Sequence, residues 1–219
     1  MNKRPREIND LKKQLSYVVI LLPSVFLVFA ALTVGDYELF RLINLGISNS
    51  VLDVACVYAF PVLFSVFYFL ALTRLYISHE NTSIATGLVS LMTGLLSYSV
   101  GSLMKLLSRR PRPFDVLLGV RVIGLWKTGS FSFPSTTTML VFGVTLPILF
   151  LFEKRHYGIF LSILSYFIGF SVIYTGFHFP GDVAAGIIIS FCIAACTSRM
   201  KRPITNFLER KLKYCVDFF

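Results

Sequence analysis

The sequence predicts an all-α polytopic membrane protein, about six transmembrane helices in one bundle with a further helix lying along the interface. Three observations carry this expectation. Of the 219 residues, 55% are hydrophobic and the mean hydropathy is +0.73, more apolar surface than a soluble domain can keep from water. Apolar runs long enough to cross a hydrocarbon core, which takes roughly 20 residues each, fall at about 15–34, 52–74, 84–104, 135–152, 157–175 and 181–198. The lysines and arginines between those runs gather at alternate ends.

Taken in order, the first run is longer than the roughly 7 to 15 apolar residues of a signal core, and no small-x-small site closes it, so it is expected to stay as a helix. The stretch "GDYELFRLINLGISNSVLD" follows. It sets Leu39, Phe40, Leu42 and Ile43 beside Asp36, Glu38 and Arg41, the composition of a helix lying in the interface. Lys3, Arg4, Arg6, Lys12 and Lys13 precede the first run, Lys154 and Arg155 follow the fourth, and Arg199, Lys201, Arg202, Arg210, Lys211 and Lys213 follow the sixth. With six spans these clusters share one side. By the positive-inside rule that side is the cytoplasm, which puts the loops after spans one, three and five outside. The net charge of +10 is thus read as membrane orientation rather than as a nucleic-acid surface. No repeat or soluble insert interrupts the pattern, so residues 1–219 read as one domain of the plasma (inner) membrane, with a cytoplasmic segment at 1–14 and a basic cytoplasmic tail at 199–219. Cys56, Cys192, Cys196 and Cys215 have no spacing that suggests disulfides or zinc, and they read as small apolar side chains.

One loop breaks the charge rule. Residues 105–133, expected outside, carry Lys105, Arg109, Arg110, Arg112, Arg121 and Lys127 against a single acid, Asp115. An anion held at the membrane surface would explain the excess; contact with lipid headgroups is the plainer alternative. Within "KLLSRRPRP", Lys105 is a point charge and Arg112 a fork beside the stiff Pro113, a pairing suited to phosphate. In "FSFPSTTTMLVF", Pro134 and Ser135 open the fourth span, with Pro134 expected at the first helical position and free backbone N–H groups facing out. An ordinary capped helix start reads the same way. In "SVIYTGFHFPGDVAAG", His178 precedes Asp182 by four residues, so a carboxylate can fix the imidazole tautomer and make it a better nucleophile or base. A satisfied structural histidine is the common alternative. His79 and His156 fall in cytoplasmic loops on this topology, leaving His178 alone at the outer face.

These three stretches, in this order and spacing, resemble the type 2 phosphatidic acid phosphatase family, integral-membrane lipid phosphatases related to vanadium haloperoxidases. That family is marked by K-x6-R-P, then P-S-G-H, then S-R-x5-H-x3-D. The first motif is complete as Lys105, Arg112 and Pro113, and the third is present as Ser171, His178 and Asp182 with Tyr174, Gly176, Pro180, Val183 and Gly186 around it. The resemblance implies a phosphorylated lipid as substrate, with membrane lipids around it. It implies His178 as the nucleophile that takes the phosphoryl group, Asp182 as its orienting partner, and Lys105, Arg112, Ser135 and backbone N–H groups at Thr136 and Thr137 around the phosphate oxygens. No metal or other cofactor is implied.

Three residues in two of the motifs depart from the pattern. Thr136 and Thr137 replace the glycine and the general-acid histidine of the second motif, and Val172 replaces the arginine of the third. Arg109, Arg110 and Arg121 are the outer-loop side chains available to stand in for that arginine. Two expectations follow: a lipid phosphatase or phosphotransferase favouring a polyprenyl diphosphate, or a protein of the same fold that binds phosphorylated lipid without turnover.

Overall fold

The computed structural model describes residues 4–124, 129–152 and 155–216, and the side chains among them except those of 4–16, 19–20 and 211–216. Lys3, Lys127 and Lys154 therefore lie outside the described residues, as do the side chains of Arg4, Arg6, Lys12, Lys13, Lys211, Lys213 and Cys215.

Every apolar run is helical. The chain runs through α1 (Arg4–Thr33), α2 (Asp36–Arg41) with a π-helical turn at Leu42–Gly46, and α3 (Ser50–Val54), which passes through a second π turn into α4 (Phe60–Ile77). Then come α5 (Asn81–Ser108), the single turn α6 (Pro113–Val116), α7 (Thr136–Leu151), α8 (Arg155–Tyr174), α9 (Pro180–Thr197) and α10 (Lys201–Val216). Among the described residues there is no strand.

The outside of this bundle is apolar. Phe26, Phe29 and Leu32 on α1, Phe69 on α4, and Leu95 and Leu107 on α5 are all more than half exposed. A surface of that kind is stable only in lipid, and the chain is an integral membrane protein. The inside is correspondingly polar. Ser83, Thr86, Ser90, Thr93 and Ser97 recur along one face of α5 and are buried. Ser90 donates to the Val144 carbonyl at 2.5 Å, and the Thr93 and Thr197 hydroxyls meet at 2.6 Å. In a membrane, small residues and interhelical hydrogen bonds hold helices together where hydrophobic contrast cannot. Gly94 and Gly143 let α5 and α7 approach closely, for a Cβ at Gly143 would lie 3.0 Å from the Gly94 Cα.

The centre is α7, packed against α5, α8 and α9. Its residues Met139, Phe142, Leu146 and Ile148 are fully buried, which is why this segment is apolar all round rather than on one stripe. At 16 residues it is about 24 Å long, against about 42 Å for the 28 residues of α5.

The segment expected along the interface is helical and is pinned to the end of the bundle that carries the turn between α8 and α9. Phe40 is fully buried and meets Phe179 edge-on at 5.5 Å, with Tyr37 on the same ring at 4.9 Å. The Asn44 amide donates to the Arg121 and Tyr174 carbonyls, each at 2.8 Å, and accepts from the Arg121 N–H at 3.0 Å. One buried side chain thus ties this segment to the basic loop and the end of α8. Gly176 closes α8 at φ 90°, donating to the Ile173 carbonyl at 3.0 Å. Any Cβ there would sit 2.6 Å from the Arg121 carbonyl oxygen, so the turn that delivers His178 needs glycine on both conformational and steric grounds.

Candidate active site

His178 and Asp182 are placed by the junction of α8 and α9. The Val172 carbonyl, near the end of α8, accepts from both the Phe177 and His178 N–H groups, at 3.1 and 3.0 Å. Pro180 then starts α9, and Asp182, in its first turn, accepts from the Phe179 N–H at 2.9 Å. A carboxylate there caps the helix and suits the positive end of its dipole.

The basic loop closes over this junction. Lys105, at the end of α5, donates to the Phe131 carbonyl at 2.5 Å and to the Ser132 carbonyl at 3.2 Å. Arg112 donates from Nε to the Ser130 carbonyl at 2.6 Å, from Nη2 to the Ser130 hydroxyl at 2.9 Å, and from Nη1 to the Phe177 carbonyl at 2.9 Å. Three of the guanidinium's five N–H groups are spent on these oxygens and a fourth faces the His178 ring, so what remains for an anion is small. Its Nη1 lies 3.5 Å from Nε2 of His178.

The other ring nitrogen points the opposite way. His178 Nδ1 lies 3.6 Å from Asp182 Oδ2 and has no hydrogen-bond partner within reach. Burial lowers the His178 pKa to about 4, with Lys105 and Arg112 pushing the same way and Asp182 opposing them. The ring is therefore neutral at ordinary pH. With its proton on Nδ1, facing Asp182, the Nε2 lone pair faces Arg112. Because the folded value lies below the free value of 6.5, the unfolded chain takes up a proton between about pH 6.5 and 4 that the folded chain does not. Stability contributed by a neutral His178 is present above that window and is lost as pH falls through it. The melting temperature in detergent is expected to drop more steeply from pH 6.5 to pH 4.5 in the wild type than in His178→Gln; parallel curves would contradict the burial argument.

Beside His178 a cavity of about 650 Å³ runs down between α4, α7 and α8. Arg112, Ser130, Thr136, Thr137 and His178 line its polar end, and Phe64, Leu140, Val141 and Ile168 its apolar end. Such a crevice matches a molecule with a charged head and a hydrocarbon tail.

The structure brings the residues singled out from the sequence to one place, though not all to the cavity wall. Arg112, Thr136, Thr137 and His178 line the cavity. The N–H groups of Thr136 and Thr137, at the first two positions of α7, have no helical carbonyl to serve and are open to an anion. Ser135 is fully buried as the N-cap of α7, and its hydroxyl accepts from the Thr138 hydroxyl at 2.9 Å. Pro134 therefore precedes the cap instead of occupying the first helical position, because Ser135 supplies the capping oxygen. Lys105 and Asp182 stand behind the wall and reach the site through the 131–132 backbone and through His178.

None of the spare arginines takes the place left by Val172, which lines the cavity itself. Arg110 is held by Asp36 and Asp182, and Arg121 is bonded to Asp53. Arg109, which ends α5 in a left-handed conformation at φ 48°, donates back to the Leu106 carbonyl at 3.4 Å. Sequence reasoning missed Ser130, which holds Arg112, and Ser132, whose hydroxyl donates to Asp182 Oδ2. It also missed Asp36. All three make their contacts across long stretches of chain, with no local spacing to reveal them.

A helical membrane bundle with a basic, histidine-bearing pole at the head of an apolar crevice is the architecture of a lipid-phosphate protein, and residues 84–205 match the model of the PAP2 superfamily. The chain belongs to that family. It is 28% identical over 176 residues to the undecaprenyl-diphosphatase BcrC of Bacillus subtilis, an alignment covering 80% of this chain and 88% of the relative. A 70-residue stretch is 34% identical to the lipid A 4'-phosphatase of Bacteroides thetaiotaomicron, covering 32% of this chain and 31% of that protein. Among solved structures, LpxE of Aquifex aeolicus superposes with a TM-score of 0.53 at 28% identity, over 74% of this chain and 93% of that one. A transmembrane PAP2 type phosphatidylglycerolphosphate phosphatase from Bacillus subtilis shares the fold at a TM-score of 0.53 and 18% identity, over 85% and 96%.

Proposed function

We propose that this protein is a membrane lipid phosphatase or phosphotransferase acting on a lipid diphosphate, a polyprenyl diphosphate above all, with His178 as nucleophile. One observation carries the reading: the buried imidazole turns one nitrogen toward Asp182 and the other toward Arg112 at the mouth of an amphipathic crevice. Nε2 attacks the terminal phosphorus, an N–P bond forms, and the bond to the bridging oxygen breaks. Water or an acceptor hydroxyl then takes the phosphoryl group and frees the histidine. The remaining Arg112 N–H and the N–H groups of Thr136 and Thr137 hold the phosphoryl oxygens.

The substrate preference follows from the threonines. No side chain at Thr136 or Thr137 can protonate a leaving alkoxide, whose conjugate acid has a pKa close to water's at about 15.7. A phosphate ester with a second pKa of about 6 leaves without help. The relative named as an undecaprenyl-diphosphatase agrees with this choice.

We place the site on the extracytoplasmic face of the plasma membrane, with both termini cytoplasmic and residues 1–219 as one domain, on the distribution of basic residues. Phosphate release from added lipid mono- and diphosphates by right-side-out vesicles carrying the protein tests both statements. Diphosphates are expected to be turned over and monophosphates far more slowly. Release only from inverted vesicles would refute the orientation, and none from either type would refute the activity.

A second reading has its own support. Val172 and the threonines line the cavity where the family carries an arginine and a histidine, and the neighbouring arginines are bound to carboxylates. A protein that binds phosphorylated lipid without turnover would leave the site in this state, and lipid binding without release in both vesicle types would establish it.

A further inference from the structure

Asp182 is gripped from the side away from the cavity, and the group that grips it is itself gripped. Arg110 donates from Nη1 to Asp182 Oδ1 at 2.7 Å and from Nη2 to Asp36 Oδ2 at 2.5 Å. The other Asp36 oxygen takes the Gly181 N–H at 2.8 Å, and the guanidinium carbon lies 4.3 Å from the centre of the Phe179 ring. Asp36 belongs to α2, outside the region matched by the family model. It does not line the cavity. Its carboxylate comes this close because residue 181 is glycine, where a Cβ would stand 3.0 Å from Asp36 Oδ2.

We propose that Asp36 is a positioning residue for the His178–Asp182 pair, acting through Arg110. The proposal rests on the reading of His178 as the reacting group. It has a geometric part and an electrostatic part. Asp36 fixes the first turn of α9 at Gly181 and orients the fork that holds Asp182, so the carboxylate cannot rotate away from the imidazole. One guanidinium shared between two carboxylates also leaves one negative charge uncompensated. Without Asp36, Arg110 would neutralise Asp182 alone, and less of that charge would remain to stabilise the imidazole as it gains positive character. The charged groups facing His178 are Asp182 from α9, Lys105 from α5 and Arg112 from the outer loop, with Arg110 and Asp36 behind Asp182. Asp36 lies on α2, the segment whose composition suits the interface, so Arg110 links that segment to the carboxylate beside His178.

The test uses the full chain in detergent and compares wild type, Asp36→Asn, Asp36→Glu, Arg110→Gln and the double variant Asp36→Asn/Arg110→Gln. Asp36→Asn can keep its one acceptor oxygen on Gly181 while losing the charge and the oxygen that holds Arg110; Asp36→Ser removes both contacts and serves as the second variant should the amide prevent folding. The imidazole Nδ1–H resonance of His178 at neutral pH, assigned by its loss in His178→Gln, is expected to move upfield in Asp36→Asn and to return in Asp36→Glu. On lipid diphosphate, kcat is expected to fall about tenfold with KM unchanged, the low end of what losing an orienting partner costs. In the Arg110→Gln background the same change should add nothing. An unmoved resonance, or an effect undiminished without Arg110, overturns the proposal. If the wild type turns over no lipid, the catalytic reading falls and the resonance alone decides the positioning role.

Discussion

His178→Ala is expected to abolish phosphate release from lipid diphosphate, a loss of roughly 10⁴ to 10⁶ in kcat, the range seen when a nucleophile is removed outright. The expectation comes from geometry. Among the described residues no other histidine approaches the cavity, and the His178 ring is the side chain that touches both Arg112 and the edge of Asp182. Asp182→Asn should cost less on the chemical side, about 10- to 100-fold, because the imidazole survives without its orienting charge. It should cost more in stability, since Asp182 also caps α9 and accepts from Arg110 and Ser132. Phosphate release measured per folded molecule separates the two effects. Undiminished turnover in His178→Ala would show that the chemistry lies elsewhere.

Thr137→His is expected to raise lipid monophosphate hydrolysis by up to about 10² to 10⁴, the usual worth of a general acid, while diphosphate hydrolysis rises much less. Only a poor leaving group needs the proton. Thr137 is exposed to the cavity in the first turn of α7, so an imidazole there has room to reach a leaving oxygen. Val172→Arg should help both substrate classes, since a second fork on the phosphoryl oxygens serves either reaction. The structural duty of Val172 is carried by its carbonyl, which accepts from Phe177 and His178, and a change of side chain leaves that intact. Ratios of monophosphate to diphosphate turnover in the single and double variants distinguish the effects. If folded Thr137→His, alone or with Val172→Arg, hydrolyses neither class faster, the missing-acid account fails and lipid binding without turnover becomes the better description.

The helices were legible in the sequence because each is a long unbroken apolar run, and lipid enforces that pattern more strictly than water does. The meeting of the basic loop, the start of α7 and the His178 turn was legible through family motifs. What holds that meeting together was not. Arg110 looks like any member of a basic loop, and Asp36 like the wet face of an interfacial helix, yet they join across 74 residues and then bind a third group, Asp182. Ser135 shows the converse. Its sequence context invited a ligand role, and in the fold its oxygen also serves as a cap of α7, accepting from Thr138. A motif records which residues meet, whereas the division of donors and acceptors among them is settled by tertiary geometry that spacing does not encode.

The shortness of α7 bears on how a lipid reaches the site. At about 24 Å, this helix is shorter than a hydrocarbon layer of about 30 Å; with its Leu151 end at the far interface, the phosphate-facing end that Thr136 and Thr137 form would lie below the bilayer surface. Drawing a lipid upward exposes methylenes to water at about 0.8 kcal/mol each, so raising ten of them would take about 8 kcal/mol before any contact with protein was made. A recessed pole removes that barrier. A lipid headgroup would then sink to the protein while the tail slid sideways among Phe64, Leu140, Val141 and Ile168, exchanging one hydrocarbon neighbour for another. Access then becomes a matter of lateral diffusion in the membrane plane, and the concentration that governs occupancy is the mole fraction of the lipid in its leaflet rather than its amount in solution.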